Sequence, residues 1–212
     1  MLTSHASKRL EAGARVAQRQ LETVTGEVVV VPDPGRLVHL QFRRFAGCPV
    51  CHLHLRSFVQ RHDEIEAAGI REVVMFHAPA DELRPYTVDL PFAVVGDPEK
   101  QLYAEFGVES SPRALLDPRA WLGIVRSVLH ALWGAIREGR PVPPSSPSGG
   151  RLGLPADFLI ASDGRVLACY YGGHADDQWS VDELLRLVRR RASASRCAAE
   201  HVKGAAGGPG EL

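Results

Sequence analysis

A chain of 212 residues is long enough to bury a core of its own, and one domain is the simplest organisation that length requires. Lysine plus arginine equals aspartate plus glutamate at 25 each, which excludes an overall field that would recruit nucleic acid or an acidic membrane surface. Four cysteines are too few for a disulfide-stapled extracellular scaffold, and Cys48 and Cys51 are too close in sequence to tie distant parts of a fold together.

The opening MLTSHASKRLEAGARVAQRQLE is broken by charge every few positions and holds no apolar run of the length a secretory signal needs, so a cytoplasmic location is expected. Residues 1–26 read as a polar helical leader. Residues 27–31 are β-branched, and Leu37 to Phe42 alternate in the manner of a half-buried strand. From Cys51 the apolar positions Leu55, Phe58, Val59 and Ile65 predict one long helix ending at Ala68-Gly69. Residues 70–76 (IREVVMF) read as a buried strand and 79–86 as a short helix led by Pro79. Residues 92–95 read as a further strand and 98–106 as a helix opened by Asp97. This order is the sign of a parallel α/β arrangement.

Trp121 to Ile136 carries one broad apolar stripe at helical spacing: Trp121, Val125, Val128, Leu129, Leu132, Trp133 and Ile136. It is too short, and too interrupted by Arg126 and His130, to span a bilayer core of about 30 Å. Packing on its own domain, a homodimer face and a membrane-surface element are the three readings. Residues 140–153, rich in Pro, Ser and Gly, form a flexible return. Strands at 158–160 and 165–171 follow, joined by the hairpin signal Ser162-Asp163-Gly164. A closing helix starts at Ser180, with Glu183 completing a capping box. The chain thus divides into the leader, a domain over 27–191 with an insertion at 117–153, and a flexible tail over 192–212 in which Cys197 has no assigned role. Cys169 is expected in the core. His174, Asp176 and Asp177 have Gly-rich flanks that fit a polar loop.

The chemistry concentrates in RFAGCPVCHLH, residues 44–54, where a strand hands over to a helix. Three chemistries fit the residue types. As a redox dithiol, Cys48 and Cys51 on a first helical turn face unsatisfied N–H groups and the positive end of the dipole, which favour a thiolate. Pro49 stiffens the turn, and Arg43, Arg44 and His52 are candidates for added positive charge. As a haem attachment, Cys48 to His52 satisfies C-x-x-C-H, but such sites belong to exported proteins and the expected context is absent. As a zinc site, Cys48, Cys51, His52 and His54 offer ligands, but a structural site draws pairs from two separated knuckles, and neither Cys169 nor Cys197 supplies the second.

With Cys-Pro-Val-Cys at a strand-to-helix junction and GLPADFLIASDGRV near the end of the chain, the sequence resembles the thioredoxin-fold superfamily. More narrowly it resembles the peroxiredoxin-like branch of the alkyl hydroperoxide reductase and thiol-specific antioxidant family. The resemblance implies an α/β thioredoxin-like fold, a central mixed sheet flanked by helices with a helical insertion before the last two strands. It implies a thiol-dependent oxidoreductase that reduces peroxides or disulfides, needs no cofactor or metal, and is recycled by a thiol reductant such as a thioredoxin-type protein. A redox-sensing protein that uses the dithiol as a switch is the alternative. By the thioredoxin-like pattern Cys48 is the nucleophile, as the more exposed leading cysteine, and Cys51 resolves. By the same match Pro155 is a cis-proline beside Cys48 and, with Leu154 and Pro49, lines the substrate site. The peroxiredoxin pattern also carries a threonine or serine three positions before its peroxidatic cysteine. Phe45 stands there relative to Cys48, and Cys48 itself stands there relative to Cys51. Arg113 and Arg126 are the candidates for the arginine of that pattern.

Overall fold

The computed structural model describes residues 8–45, 47–111, 117–138, 147–148 and 150–205. Strands β1 (Arg19–Glu22) and β2 (Val28–Val31) form an antiparallel hairpin. The central sheet has β3 (Leu37–Arg43) in the middle, β4 (Ile70–Phe76) and β5 (Ala93–Gly96) parallel to it on one side, and β6 (Ala156–Ile160) and β7 (Val166–Tyr171) antiparallel on the other. The order is therefore β5-β4-β3-β6-β7, the mixed α/β sheet expected of a thioredoxin-like fold.

Helices α1 (Pro49–Gln60), α2 (His62–Ala67) and α3 (Ala80–Thr87) alternate with the parallel strands. The predicted long helix is interrupted once, at Arg61, and ends where Gly69 takes a left-handed φ of 73°. α4 (Gln101–Glu105) opens on the carboxylate of Asp97, which accepts from the backbone N–H groups of Gln101, Leu102 and Tyr103. α5 (Pro118–Glu138) lies before the last two strands and packs on α1. Its neck is closed where Ser111 N donates to Leu152 O and Leu154 N to Glu109 O. α6 begins at Val181, with the capping box in place: Ser180 N donates to the Glu183 carboxylate and Glu183 N to Ser180 Oγ.

Two readings of the chain ends are corrected. The leader, where described, is extended rather than helical. Gly13 N donates to Val166 O, Val16 N to Gly164 O, and β1 pairs with β2, so tertiary partners outweigh a weak helical propensity. The tail continues α6 (Val181–Ala205) instead of ending the order at 191. Its alanine-rich run extends a helix already nucleated at Ser180, and each further residue adds a bond at little entropic cost. The return loop expected over 140–153 lies largely outside the described residues. The stripe on α5 is not packed on its own domain, because all seven apolar residues named above are exposed.

The two faces of the sheet bury separate cores. Val38, Leu40, Phe42, Val73, Met75 and Phe158 point one way, toward the β1–β2 hairpin and α4. The opposite face holds Leu55, Phe58, Val74, Phe76, Leu159 and Leu184 beneath α1 and α6. On that second face the polar positions of β3 are also buried, contrary to a half-buried strand. His39, Gln41 and Arg43 are all without exposure. Arg43 Nη2 donates to Asp157 Oδ1 at 2.7 Å, to Gln41 Oε1 at 2.5 Å and to His54 Nε2 on α1 at 3.3 Å. His39 Nδ1 lies 2.9 Å from Glu72 Oε2 and its Nε2 3.2 Å from Asp157 Oδ1. Gln41 Nε2 also donates to Glu72, and Trp179 N to Asp157 Oδ2. Two cations thus face two carboxylates, as burial of charge demands.

Burial by itself would depress His39. The Glu72 and Asp157 carboxylates outweigh it and raise the imidazole from 6.5 to about 9. A folded-state value above the unfolded one means that this stabilisation is complete below pH 6.5 and is lost as pH rises through about 9. Urea unfolding followed by tryptophan fluorescence should show stability falling across that window by on the order of 3 kcal/mol. The His39→Leu variant should lack that component of the pH profile. Asp157→Asn, which leaves Arg43 and His39 short of a counter-charge, should cost about 3–5 kcal/mol at neutral pH. Superimposable wild-type and His39→Leu pH profiles would contradict a protonated His39.

Candidate active site

Strand β3 delivers the chain to the site, and its end is held by Tyr103, whose hydroxyl lies 2.5 Å from Arg43 O and 2.9 Å from Met75 O. Gly47, at a φ of 70°, turns the chain into α1. Cys48 is the N-cap of that helix and Pro49 its first residue, where a missing N–H costs nothing. A side chain at the N-cap normally offers an oxygen to the free N–H groups. Here sulfur takes that place, accepting from Cys51 N at 3.5 Å.

Arg44, the residue after β3, completes the environment. Its Nη1 donates to Cys48 Sγ at 3.7 Å, and its Nη2 donates to Arg151 O, which fixes the guanidinium from the other side. Both cysteines are nearly inaccessible, Cys48 at 2% and Cys51 at 1%, so exposure does not separate them. Electrostatics does. Burial raises the Cys48 thiol, but the Cys51 hydrogen bond, the Arg44 charge and the N–H groups of Cys51 and Val50 together lower it from 9.0 to about 7. Burial also raises Cys51, and its hydrogen bond to Cys48 and the negative charge there hold it well above the ordinary thiol range. The pair is a poised thiolate beside a thiol that keeps its proton.

The other sequence candidates fall in different places. Arg43 belongs to the buried network, where His54 accepts its hydrogen bond; burial and the Arg43 charge hold that imidazole neutral. Among the described residues no group of three metal-ligating side chains is gathered. Arg126 is exposed and stands near Asp176, and Arg113 lies outside the described residues. Cys169 packs with the opposite face of the sheet, its Sγ 3.4 Å from Leu10 O. Leu154 and Pro155 are buried at the entry to β6, one step beyond the Phe42–Ala156 pair. The cis bond expected before Pro155 is at Val31–Pro32 instead. Pro155 leads into β6, its carbonyl accepting from Gly172 N at 2.9 Å.

Of the residues proposed to add positive charge, Arg44 is the one buried against the sulfur. One neighbour of the site, His77, was not legible in the sequence as a site residue. His77 N donates to Arg44 O, and among the described residues neither of its ring nitrogens has a hydrogen-bond partner; burial and the charges of Lys100 and Arg44 lower its pKa to about 4 and keep it neutral. A narrow crevice lined by His52, Leu55, Phe76, Leu83 and Tyr86 leads to both sulfurs.

A family model of the AhpC/TSA antioxidant enzymes matches residues 57–174, more than half of the chain. The protein belongs to this family. Cys48 and Cys51 precede the matched span, so the family assignment and the dithiol geometry are independent observations. No match is found among curated proteins. Of solved structures, the peroxidoxin BcpB of Mycobacterium tuberculosis is similar at a TM-score of 0.61 and 18% identity, covering 86% of this chain and 98% of that one. The reduced 2-Cys peroxiredoxin of Plasmodium vivax is similar at 0.61 and 12% identity, covering 88% and 84%. A peroxiredoxin-like protein from Aquifex aeolicus is similar at 0.57 and 14% identity, covering 87% and 90%. At these identities the likeness establishes the thioredoxin-like peroxiredoxin fold.

The electrostatic origin of the Cys48 shift can be tested directly. The rate of alkylation by iodoacetamide should rise with pH and reach half its maximum near pH 7. Arg44→Leu should move that midpoint up toward about 8.5 and slow the reaction at pH 7 by about tenfold, while Arg44→Lys should recover part of the shift. An unchanged midpoint in Arg44→Leu would remove Arg44 from the site.

Proposed function

We propose that the protein is a thiol-dependent peroxidase in which Cys48 attacks and Cys51 resolves. The observation that carries this reading is the Cys48 sulfur, placed at a helix N-cap, 3.7 Å from a buried guanidinium and hydrogen-bonded to a protonated Cys51. The Cys48 thiolate attacks the distal oxygen of a hydroperoxide: the S–O bond forms, the O–O bond breaks, and the displaced alkoxide or hydroxide takes up a proton. Cys48 is then a sulfenic acid. The Cys51 thiol attacks its sulfur, the S–S bond forms, and water leaves. Two electrons from an external dithiol, such as a thioredoxin-type protein, return both cysteines to the reduced state.

Arg44 plays two parts in this scheme. It favours the thiolate before the reaction, and its remaining N–H groups are available as donors to a peroxide oxygen approaching Cys48, where the hydroxyl of the peroxiredoxin pattern is replaced by Phe45. The near-complete burial of both sulfurs supports a small oxidant over a protein disulfide, which needs a sulfur exposed to a second chain. Leu154 and Pro155, buried at the entry to β6, and Pro49, the first residue of α1, keep in this scheme the substrate contacts that the family resemblance implies. The scheme places the protein in the cytoplasm, where thiol reductants are kept reduced. Among the described residues no helix is long and apolar enough to cross a membrane.

Stopped-flow oxidation of the reduced protein by hydrogen peroxide and by an organic hydroperoxide, with mass spectrometry of the quenched cysteines, tests the scheme. Rapid appearance of a Cys48–Cys51 disulfide is expected. Cys48→Ser should abolish turnover, and Cys51→Ser should keep the first oxidation but accumulate the Cys48 sulfenic acid. Oxidation no faster than that of a free thiol would overturn the peroxidase reading, and accumulation in Cys48→Ser would reverse the two roles.

A further inference from the structure

Helix α5 divides into three sectors around its axis. One packs on the domain: Ile124 joins the core under α1, Ser127 is buried, and Gly123 lets the helix approach Asp176, whose carboxylate would overlap a Cβ at that position. The second carries Arg126 and Arg137, both exposed, with the Arg137 guanidinium 4.4 Å from the ring centre of Trp133. The third is the stripe of Trp121, Val125, Val128, Leu129, Leu132, Trp133 and Ile136, each between 41% and 83% exposed.

These seven side chains leave on the order of 700 Å² of apolar surface in water, above the roughly 300–600 Å² of the largest patch on a typical monomer and close to the roughly 800 Å² that each partner contributes to a standard interface. We infer that this face is a two-fold interface between two copies of the chain, with α5 packed antiparallel on its symmetry mate. An isologous contact requires a surface complementary to itself. Six of the seven stripe residues have this property about a point between Val128 and Leu129: Trp121 falls at the level of Ile136, Val125 at that of Leu132, and Val128 at that of Leu129, while Trp133 lies at the border of the seam beside Arg137. The charged positions do not meet their own kind. Arg126 falls at the level of Ala131 and Arg137 at that of Ala120, so the seam brings no like charges together.

A membrane surface is the rival occupant. It draws on clustered basic residues, whereas the arginines of this helix are spread along it at 119, 126 and 137, the first of them at the level of Glu138 in the antiparallel pair, and the whole chain carries no formal net charge. The inference stands independently of the peroxidase reading, because it uses no property of Cys48 or Cys51.

Sedimentation velocity of the full chain at micromolar concentration should give twice the 23.1 kDa chain mass. Leu129→Glu, at the centre of the seam, and Val125→Glu, one turn away, should each weaken dimerisation by at least about tenfold. Both positions are exposed, so the circular dichroism spectrum and Cys48 alkylation at pH 7 should be unchanged. A monomeric wild type, or a dimer that survives both substitutions, overturns the inference. So does a chain that is monomeric in solution but pellets with vesicles of phosphatidylcholine and phosphatidylserine in a Leu129-dependent way, which would assign the face to a bilayer.

Discussion

Two consecutive arginines at the end of β3 are buried, and the arrangement of the site follows from how each is satisfied. A guanidinium stays charged at any physiological pH, so removing it from water demands a fixed acceptor. For Arg43 that acceptor is Asp157 on β6, which ties the antiparallel pairing of β3 and β6 to one register, since a slip of one residue would carry Asp157 to the other face. The same carboxylate receives Trp179 N and His39, so one side chain joins the strand, its neighbour and the segment leading into α6. Among the described residues no carboxylate pairs with Arg44. It has the Arg151 carbonyl and the Cys48 sulfur, and a sulfur that must answer a buried cation is more stable as a thiolate.

The network and the dithiol are linked through α1. His54 accepts from Arg43 one turn beyond Cys51, and Cys48 caps the same helix by sulfur rather than by oxygen. The first turn of α1 is thus pinned from beneath by a charge-balanced cluster and opened at its end by the group that must react. A thiolate at this position gains from the helix terminus and from Arg44 together, while Cys51, one turn in, gains from neither as strongly and keeps its proton. The proposed division into an attacking and a resolving cysteine rests on that asymmetry between chemically identical, equally buried side chains.

Membership of the AhpC/TSA antioxidant family and the peroxiredoxin-like fold constrain the scaffold more than the chemistry, because the matched span begins after the dithiol. Where the peroxiredoxin pattern has a hydroxyl, this chain has Phe45, whose ring lies near the guanidinia of Arg44 and Arg151 at 5.3 and 5.8 Å. The polar contact has moved from a side chain three residues before the cysteine to one four residues before it, at the end of the strand. α5 adds a surface that the core of the fold does not require, set directly on the helix of the dithiol.

The order of strands and helices from β2 onward, the Asp97 and Ser180 caps, the 162–164 turn and the placement of Cys48 and Cys51 on one helical turn are all local matters, and the sequence by itself determined them. Periodicity, caps and turn residues act over a few positions, so their meaning survives without knowledge of the partners. The tertiary structure alone decided the rest. Alternation along β3 was visible, but whether its polar face met water or a second core depended on α1 lying over it. Gly13 and Val16 became an extended cover rather than a helix because Gly164 and Val166 were there to bond them. Arg44 rather than Arg43 or Arg126 reached the sulfur because the Arg151 carbonyl holds its other nitrogen, a partner 107 residues away along the chain. Charge and hydrogen-bond partners of buried groups come from distant segments, and no local pattern records which of them will arrive.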